Sequence, residues 1–364
     1  MIPVLELSGS PREQGRQHGE GARERIERNL EIYFERFERE GHVTRDEVLR
    51  RAGLYWDVIQ TLNADYAEGV RGVAEGSQTE LMEIVALNVR YEILYHQFTQ
   101  TAMGADGCTG MAVSPETTAN GHVLMGENWD WIPQVQTLIL KIDTDDDSLV
   151  CFTEAGIVGG KIGLNAHGLG LAINGLISTD DDWSRLTKPF HVRCYEILRQ
   201  RSLEDAVRIV TDGDRPCSAN FLIAQADAGI VNVESAPFAT RLIRPDQGWV
   251  AHTNHFVDPD ALSVVEPPSE KRPHSQHRLR KADELLGQRA PIDTSDLQDI
   301  LRDHDGQPYS ICRHIDVDEP PEEHYRTVVS AVMDLHERRM WASGGPPCEH
   351  TDHEIVLDEQ LSPN

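Results

Sequence analysis

The sequence predicts an α+β fold in which helices and mainly antiparallel sheets form separate layers. Three observations lead there. Over the first hundred or so residues, apolar side chains recur at helical spacing and strand signals are few. From Cys108 to about Leu176 the texture changes, near Gly104, to short β-like runs broken by glycine and Asn/Asp turns. Further on, strand blocks are separated by a pair of helices, so α and β elements are segregated along the chain.

In order, Ser10-Pro11-Arg12-Glu13 forms a capping box with proline at the first helical position, which starts a helix. It continues through Ala22, Ile26, Leu30, Tyr33 and Phe37, spaced three or four apart on one face. A second helix is expected after Thr44, running past Trp56 and Ile59, and a third near 79–95. Strands are predicted over 110–113, 123–127, 137–142, 149–154, 161–165 and 170–174, with Asn165-Ala-His-Gly168 as a hairpin turn. Helical patterns return over 191–201 and 203–211. Strands follow over 220–225, 230–234, 240–243 and 249–253, then helices over 274–286 and 294–304. Strands over 327–334, 339–342 and 355–357 close the chain. The Pro- and acid-rich stretch 316–323 reads as a surface loop, and no internal repeat is present.

The 364 residues are enough for a substantial core without disulfides. Net charge is −27, from 61 acidic against 34 basic residues, only five of them lysine. Such a surface repels the phosphate backbone of nucleic acid and anionic membranes, so neither is expected as a partner. Acid-rich, lysine-poor surfaces also suit high salt, where screening removes self-repulsion, and a halophilic surface is the expectation. The N-terminus lacks a basic start followed by an apolar stretch, and no run of about 18 apolar residues occurs. The six cysteines (108, 151, 194, 217, 312, 348) show no CxxC spacing. A reduced, cytoplasmic protein without cofactor or metal is therefore expected.

Candidate chemistry centres on Gly104-Ala-Asp-Gly-Cys-Thr-Gly110, where a loop becomes a strand. A lone cysteine is ordinarily a small core residue. Here Gly107 leaves its own carbonyl open to attack, and Asp106 and Thr109 supply polar groups beside the thiol. About twenty residues on, Gly126-Glu-Asn-Trp-Asp-Trp131 offers a carboxylate, Asp130, at a strand end. In Ala251-His-Thr-Asn-His-Phe256 an apolar strand turns polar, and Asn254 could donate to a developing oxyanion. In Tyr309-Ser-Ile-Cys-Arg313, Arg313 could clamp a carboxylate. Each motif taken singly also reads as turn or surface chemistry.

Taken together, Asp106-Gly-Cys-Thr109, Asn128-Trp-Asp130, Thr153-Glu-Ala-Gly156, His252-Thr-Asn-His255 and Ser310-Ile-Cys-Arg313 resemble the isopenicillin N acyltransferase (acyl-CoA:6-aminopenicillanic acid acyltransferase) family. That family belongs to the N-terminal-nucleophile hydrolases and is distantly similar to the choloylglycine hydrolases. The resemblance spans nearly the whole chain, from Gly9-Ser-Pro, Gly15 and His18-Gly19 to Val328-Val-Ser-Ala-Val-Met-Asp334.

The resemblance implies a four-layer αββα sandwich made from a precursor that cuts itself between Gly107 and Cys108. Residues 1–107 would remain bound as a small subunit and residues 108–364 would form the large one, the two making one domain. Cys108 would attack the Gly107 carbonyl; after cleavage its free α-amine, of ordinary pKa roughly 8, would serve as base for its own thiol. Asp130 would position the amine, Asn254 would contribute to the oxyanion hole with Asn174 of Leu171-Ala-Ile-Asn-Gly-Leu176 nearby, and Arg313 would orient charged groups, the roles of Asp130 and Arg313 being exchangeable. The substrate would be a small amide or acyl compound, with acyl-CoA a candidate donor. Competing readings are a thiol hydrolase that is not cut and uses His252, His255 or His314 as base, a noncatalytic binding protein of the same fold, and a metal protein built on Cys348-Glu-His350 with His353.

Overall fold

The computed structural model describes residues 2–101, 107–144, 148–269 and 272–357; Gly104 and Asp106 lie outside the described residues. The chain opens with a strand the sequence did not suggest, β1 (Val4–Ser8), too short for its alternation to stand out. The predicted first helix is two, α1 (Pro11–Gly21) and α2 (Arg23–Arg39), because Ala22 leaves helical geometry at φ −123°. The Ser10–Glu13 capping box is present in both directions. Thr44 caps α3 (Arg45–Leu62), and Asn63 caps an unpredicted α4 (Ala64–Ser77) by accepting from Tyr66 N–H. The expected third helix is again two, α5 (Leu81–Asn88) and α6 (Arg90–Thr101).

Gly15 and Gly19 of the opening motif owe their presence to contact between α1 and α4. A Cβ on Gly15 would lie 2.1 Å from Gly69 O, and one on Gly76 of α4 would lie 2.1 Å from Arg16 O. Any side chain at these positions would drive the two backbones apart. His18, buried between them, accepts a hydrogen bond from Gly156 N–H at Nε2 (3.2 Å), and burial pulls its pKa down to about 4. This bond ties the helical segment to the Thr153–Gly156 motif.

Beyond Gly107 come β2 (Thr109–Val113), β3 (Leu124–Trp131), β4 (Thr137–Asp143), β5 (Leu149–Glu154), β6 (Ile162–Asn165) and β7 (Leu169–Gly175), then α7 (Phe190–Ile197) and α8 (Leu203–Thr211). Next are β8 (Ala219–Gln225), β9 (Gly229–Ala236), β10 (Ala239–Ile243), β11 (Trp249–His252), α9 (Arg272–Arg289), α10 (Thr294–Leu301), β12 (Arg326–Asp334), β13 (Arg339–Ser343) and β14 (His353–Val356). Gly168, at φ +67°, closes the predicted hairpin by donating to Asn165 O (3.0 Å).

The described strands form two sheets. One has eight strands in the order β1-β4-β5-β6-β7-β8-β9-β10, and the other has six in the order β11-β2-β3-β12-β13-β14. Only the β1–β4 pair among them is parallel, so both sheets are mainly antiparallel. The sheets face each other across a closely packed interior: a Cβ on Gly170 of β7 would lie 2.7 Å from Met125 Sδ of β3. Helices α9 and α10 cover the outer face of the six-stranded sheet, where Leu286, Leu297 and Ile300 pack on Met111, Leu124 and Val332. Helix α8 packs on β8 and β9 of the other sheet, and Phe190 of α7 meets Phe221 of β8 at a centroid distance of 5.6 Å. The result is the four-layer αββα sandwich.

Candidate active site

Cys108 precedes the first residue of β2, which lies in the six-stranded sheet between β11 and β3. Strand alternation decides what its thiol meets. Cys108, Gly110 and Ala112 face the space between the sheets, whereas Thr109, Met111 and Val113 face α9 and α10. On neighbouring β3, Glu127 and Trp129 share the inner space. Asn128 faces outward and donates from Nδ2 to Leu301 O and Ile311 O, both at 2.8 Å.

The backbone at the predicted scissile bond is held from several sides. Gly107 N–H and Cys108 N–H both donate to Asn254 Oδ1, at 2.9 and 2.8 Å. Arg278 of α9, buried, donates to Cys108 O (2.6 Å), Thr109 Oγ1 (3.0 Å) and Asn254 Oδ1 (3.1 Å). Gly107 has φ +144°, and a Cβ there would lie 2.7 Å from Asp130 Cβ. Asp130 Oδ1 accepts from Thr327 Oγ1 (2.7 Å), which in turn accepts from Arg313 N–H (3.0 Å).

Of the residues singled out from sequence, Gly107, Cys108, Asp130 and Asn254 converge directly. Asn174 is one step away: its amide nitrogen lies 3.6 Å from where a Gly110 Cβ would stand, while its Oδ1 accepts from Asn220 Nδ2 (2.9 Å). Asn174 Nδ2 is buried with no hydrogen-bond partner among the described residues. Arg313 is buried with its guanidinium against the Tyr309 and Tyr325 rings, 5.1 and 5.5 Å from their centroids. Its backbone N–H donates to the Thr327 hydroxyl that in turn holds Asp130. The guanidinium that touches the Cys108 backbone belongs instead to Arg278, which was not singled out. A signal was available: Ser275, Arg278, Ala282 and Leu286 form the buried stripe of α9, and an arginine on such a stripe needs a buried partner.

Glu127 was also missed, although it stands inside the Gly126–Trp131 motif. It is fully buried, with Oε2 accepting from Ile173 N–H (2.9 Å) and Oε1 without a partner among the described residues. Burial pushes its pKa well above the carboxylate range. Burial, then the nearby Glu127 and Asp130, push the Cys108 thiol up, against the opposing pull of Arg278.

The thiol opens on a narrow pocket of about 10 Å³, about the room one water needs. Its walls are Tyr91 and Tyr95 of α6, Trp129, Trp131 and Phe190, with Arg90 and Lys161 beyond. Tyr91 stacks between Tyr95 and Phe190, at centroid distances of 3.7 and 4.1 Å. Arg90, Lys161 and Tyr33 all bond the carboxylate of Glu154. Burial opposes that charge, but Arg90 and Lys161 outweigh it and hold Glu154 far below the usual range. Burial brings Lys161 down to about 8, with Glu154 opposing.

Among the described residues, no histidine lines this pocket. The two ring nitrogens of His252 meet Thr253 O (2.7 Å) and Glu234 Oε1 (3.0 Å). His255 Nδ1 meets Thr253 Oγ1 and Ser275 Oγ, and His314 Nε2 lies beside Cys312 and Cys348. A histidine base for Cys108 thus has no support in the geometry.

The sequence model of the acyl-coenzyme A:6-aminopenicillanic acid acyl-transferase family matches residues 117–348, a span that holds Asp130, Asn174, Asn254, Arg278 and Arg313. The 40 kDa form of the acyl-coenzyme A:6-aminopenicillanic-acid-acyltransferase of Emericella nidulans is 27% identical over 310 residues, covering 84% of this chain and 83% of that protein. Among solved structures, the ortholog of N-acylethanolamine-hydrolyzing acid amidase from Caenorhabditis elegans overlays with TM-score 0.47 at 15% identity, over 69% of this chain and 100% of that one. A mutant of the conjugated bile acid hydrolase of Clostridium perfringens overlays with TM-score 0.47 at 13% identity, over 71% and 99%.

Proposed function

Because this chain belongs to the acyl-coenzyme A:6-aminopenicillanic acid acyl-transferase family, and so to the enzymes that transfer or hydrolyse acyl groups, we propose that it cuts itself between Gly107 and Cys108 and then uses Cys108 as an N-terminal nucleophile on an amide or acyl thioester. The observation that carries this is the grip on the scissile backbone. Asn254 holds the N–H on both sides of the Gly107 carbonyl, Arg278 holds the next carbonyl, and Asp130 packs against Gly107.

In the first reaction the Cys108 sulfur bonds to the Gly107 carbonyl carbon. The C–N bond breaks, and the nitrogen takes a proton to become the α-amine. Water then cleaves the thioester, giving the Gly107 carboxylate and a free thiol. Asn254 Oδ1, 2.8 Å from that nitrogen, would keep the amine in position, and Asp130, packed against Gly107, would assist it. In the second reaction the amine accepts the thiol proton, directly or through a water, and sulfur attacks the substrate carbonyl; the substrate's C–N or C–S bond breaks, the leaving amine or thiol takes that proton, and an acyl-enzyme on Cys108 awaits an acceptor. Asn174 Nδ2, without a partner among the described residues, and Asn254 Nδ2, only 3.2 Å from Gly175 O, are the amide donors for the oxyanion. Water as acceptor makes the reaction hydrolysis; an amine makes it transfer. The aromatic walls favour an apolar acyl group, and acyl-CoA remains a candidate donor. Residues 1–107 would stay bound after cleavage, because Tyr33, Arg90 and Tyr91 hold Glu154 and Ser218 O across the cut.

Intact mass and N-terminal sequencing test the proposal. Two chains, Met1–Gly107 and Cys108–Asn364, are expected, and one uncut chain for Cys108→Ala. A wild-type chain that stays whole while hydrolysing amides would overturn self-processing.

A further inference from the structure

Away from the thiol pocket, four side chains from three stretches of chain meet at one point. His304 follows α10, Cys312 and His314 lie in the loop after it, and Cys348 lies in the turn between β13 and β14. Cys312 Sγ and Cys348 Sγ are 3.6 Å apart. His314 Nε2 is 3.7 Å from Cys312 Sγ, 3.3 Å from Cys348 Sγ and 3.2 Å from His304 Nε2. All four donor atoms lie within 4.8 Å of one another.

These distances match the edges of a coordination tetrahedron. With metal–sulfur bonds of about 2.3 Å and metal–nitrogen bonds of about 2.0–2.1 Å, the edges are about 3.8 Å for S–S, about 3.6 Å for S–N and about 3.3 Å for N–N. Hydrogen bonding explains the cluster less well. His314 Nε2 carries either one proton or one lone pair, yet faces three partners. On the far side of the same ring, Nδ1 is 3.3 Å from Glu349 Oε1, as is usual for a carboxylate that orients a metal-bound imidazole. We propose that His304, Cys312, His314 and Cys348 bind one structural Zn²⁺. Two thiolates and two imidazoles in a tetrahedron suit zinc, and four protein ligands leave no open position for catalysis. Of the spacing Cys348-Glu-His350 with His353, only Cys348 belongs to this cluster. The proposal departs from the metal-free chain expected from the sequence.

The position gives the metal a purpose. Cys312 and His314 flank Arg313, whose N–H holds Thr327 Oγ1, which holds Asp130. Cys348 adds the turn whose Pro347 O accepts from Arg302 Nε (3.2 Å). Zinc would pin the closing hairpin to the loop that buttresses Asp130. The effect on activity rests on the role proposed for Asp130; metal binding does not.

The test is zinc content of the purified full-length chain after dialysis against metal-free buffer. About one zinc per chain is expected, falling more than about fivefold in Cys348→Ser and in His304→Ala. Cobalt added to zinc-stripped wild-type chain should give the intense visible bands of a tetrahedral thiolate site, which requires no variant to fold. Two results would overturn the proposal. One is a Cys312–Cys348 disulfide in the unreduced mass spectrum. The other is wild-type protein that takes up neither zinc nor cobalt while both thiols alkylate freely.

Discussion

Replacing Arg278 by methionine removes a positive charge beside the α-amine that the proposed cut would free. Its Nη2 is 3.1 Å from Asn254 Oδ1, itself 2.8 Å from the Cys108 nitrogen, so guanidinium and nitrogen are no more than about 6 Å apart. At an effective dielectric of about 20, two unit charges at that distance repel by about 3 kcal/mol, equivalent to about two pKa units. Arg278 therefore favours loss of one proton from the thiol–ammonium pair, wherever the remaining proton resides. In Arg278→Met the acid limb of Cys108 alkylation by iodoacetamide should move up by about one to two pH units, whereas Arg278→Lys should restore most of it. The rate is read by mass spectrometry on the peptide that begins at Cys108, so only cut chains are counted and no substrate is needed. The methionine variant also leaves Cys108 O buried without this donor, costing about 1–3 kcal/mol of stability. A lower melting temperature with an unmoved acid limb would refute the electrostatic role.

Gly107→Ala places a Cβ 2.7 Å from that of Asp130 at φ +144°, so it should slow self-cleavage and cost about 1–3 kcal/mol, with a gel time course as the measurement. Asn128→Ala strips donors from two buried carbonyls, Leu301 O and Ile311 O; a loss of about 2–5 kcal/mol by chemical denaturation is expected. Burial raises Glu92 to about 7, with the Phe190 N–H opposing, so the folded state binds more protons than the unfolded one between its usual range and pH 7. This group's contribution is full at low pH and disappears as pH rises through about 7, on the order of 3 kcal/mol in all. His18, lowered to about 4 by burial, acts in the opposite sense over part of that window, so the difference between wild type and Glu92→Gln isolates the carboxyl. The melting temperature of Glu92→Gln, relative to wild type, should rise from acid to neutral pH; a flat difference would count against the shift.

Much of the layered fold was legible because its signals are local. The Ser10–Glu13 box, the Thr44 cap and the Asn165–Gly168 turn each depend on residues within four positions. Breaks inside helices were not predicted: Ala22 and Val89 are sound helix or core residues, yet they leave helical geometry at φ −123° and −117°. Of the residues that meet there, Cys108, Asp130 and Asn254 were picked out through their resemblance to a family pattern; Arg278 and Glu127 were passed over, although the buried stripe of α9 and the Gly126–Trp131 motif held them. The thiol–imidazole cluster was hidden too, because Cys348 pairs with residues far back in the chain while His350 and His353 mimic a closer spacing.

By itself, then, the sequence determined the kinds of element, their order and the family, and it singled out Cys108, since periodicity, caps and motif order act over short stretches. Tertiary structure alone decided what meets Cys108. Asn254 reaches Cys108 across 146 positions and Arg278 reaches its carbonyl across 170, distances over which no local rule specifies a partner. The apposition of two sheets, with the strand pleat setting which side chains face inward, puts Cys108, Glu127 and Asn174 in one interior space, and Asp130 lines the same pocket as the thiol.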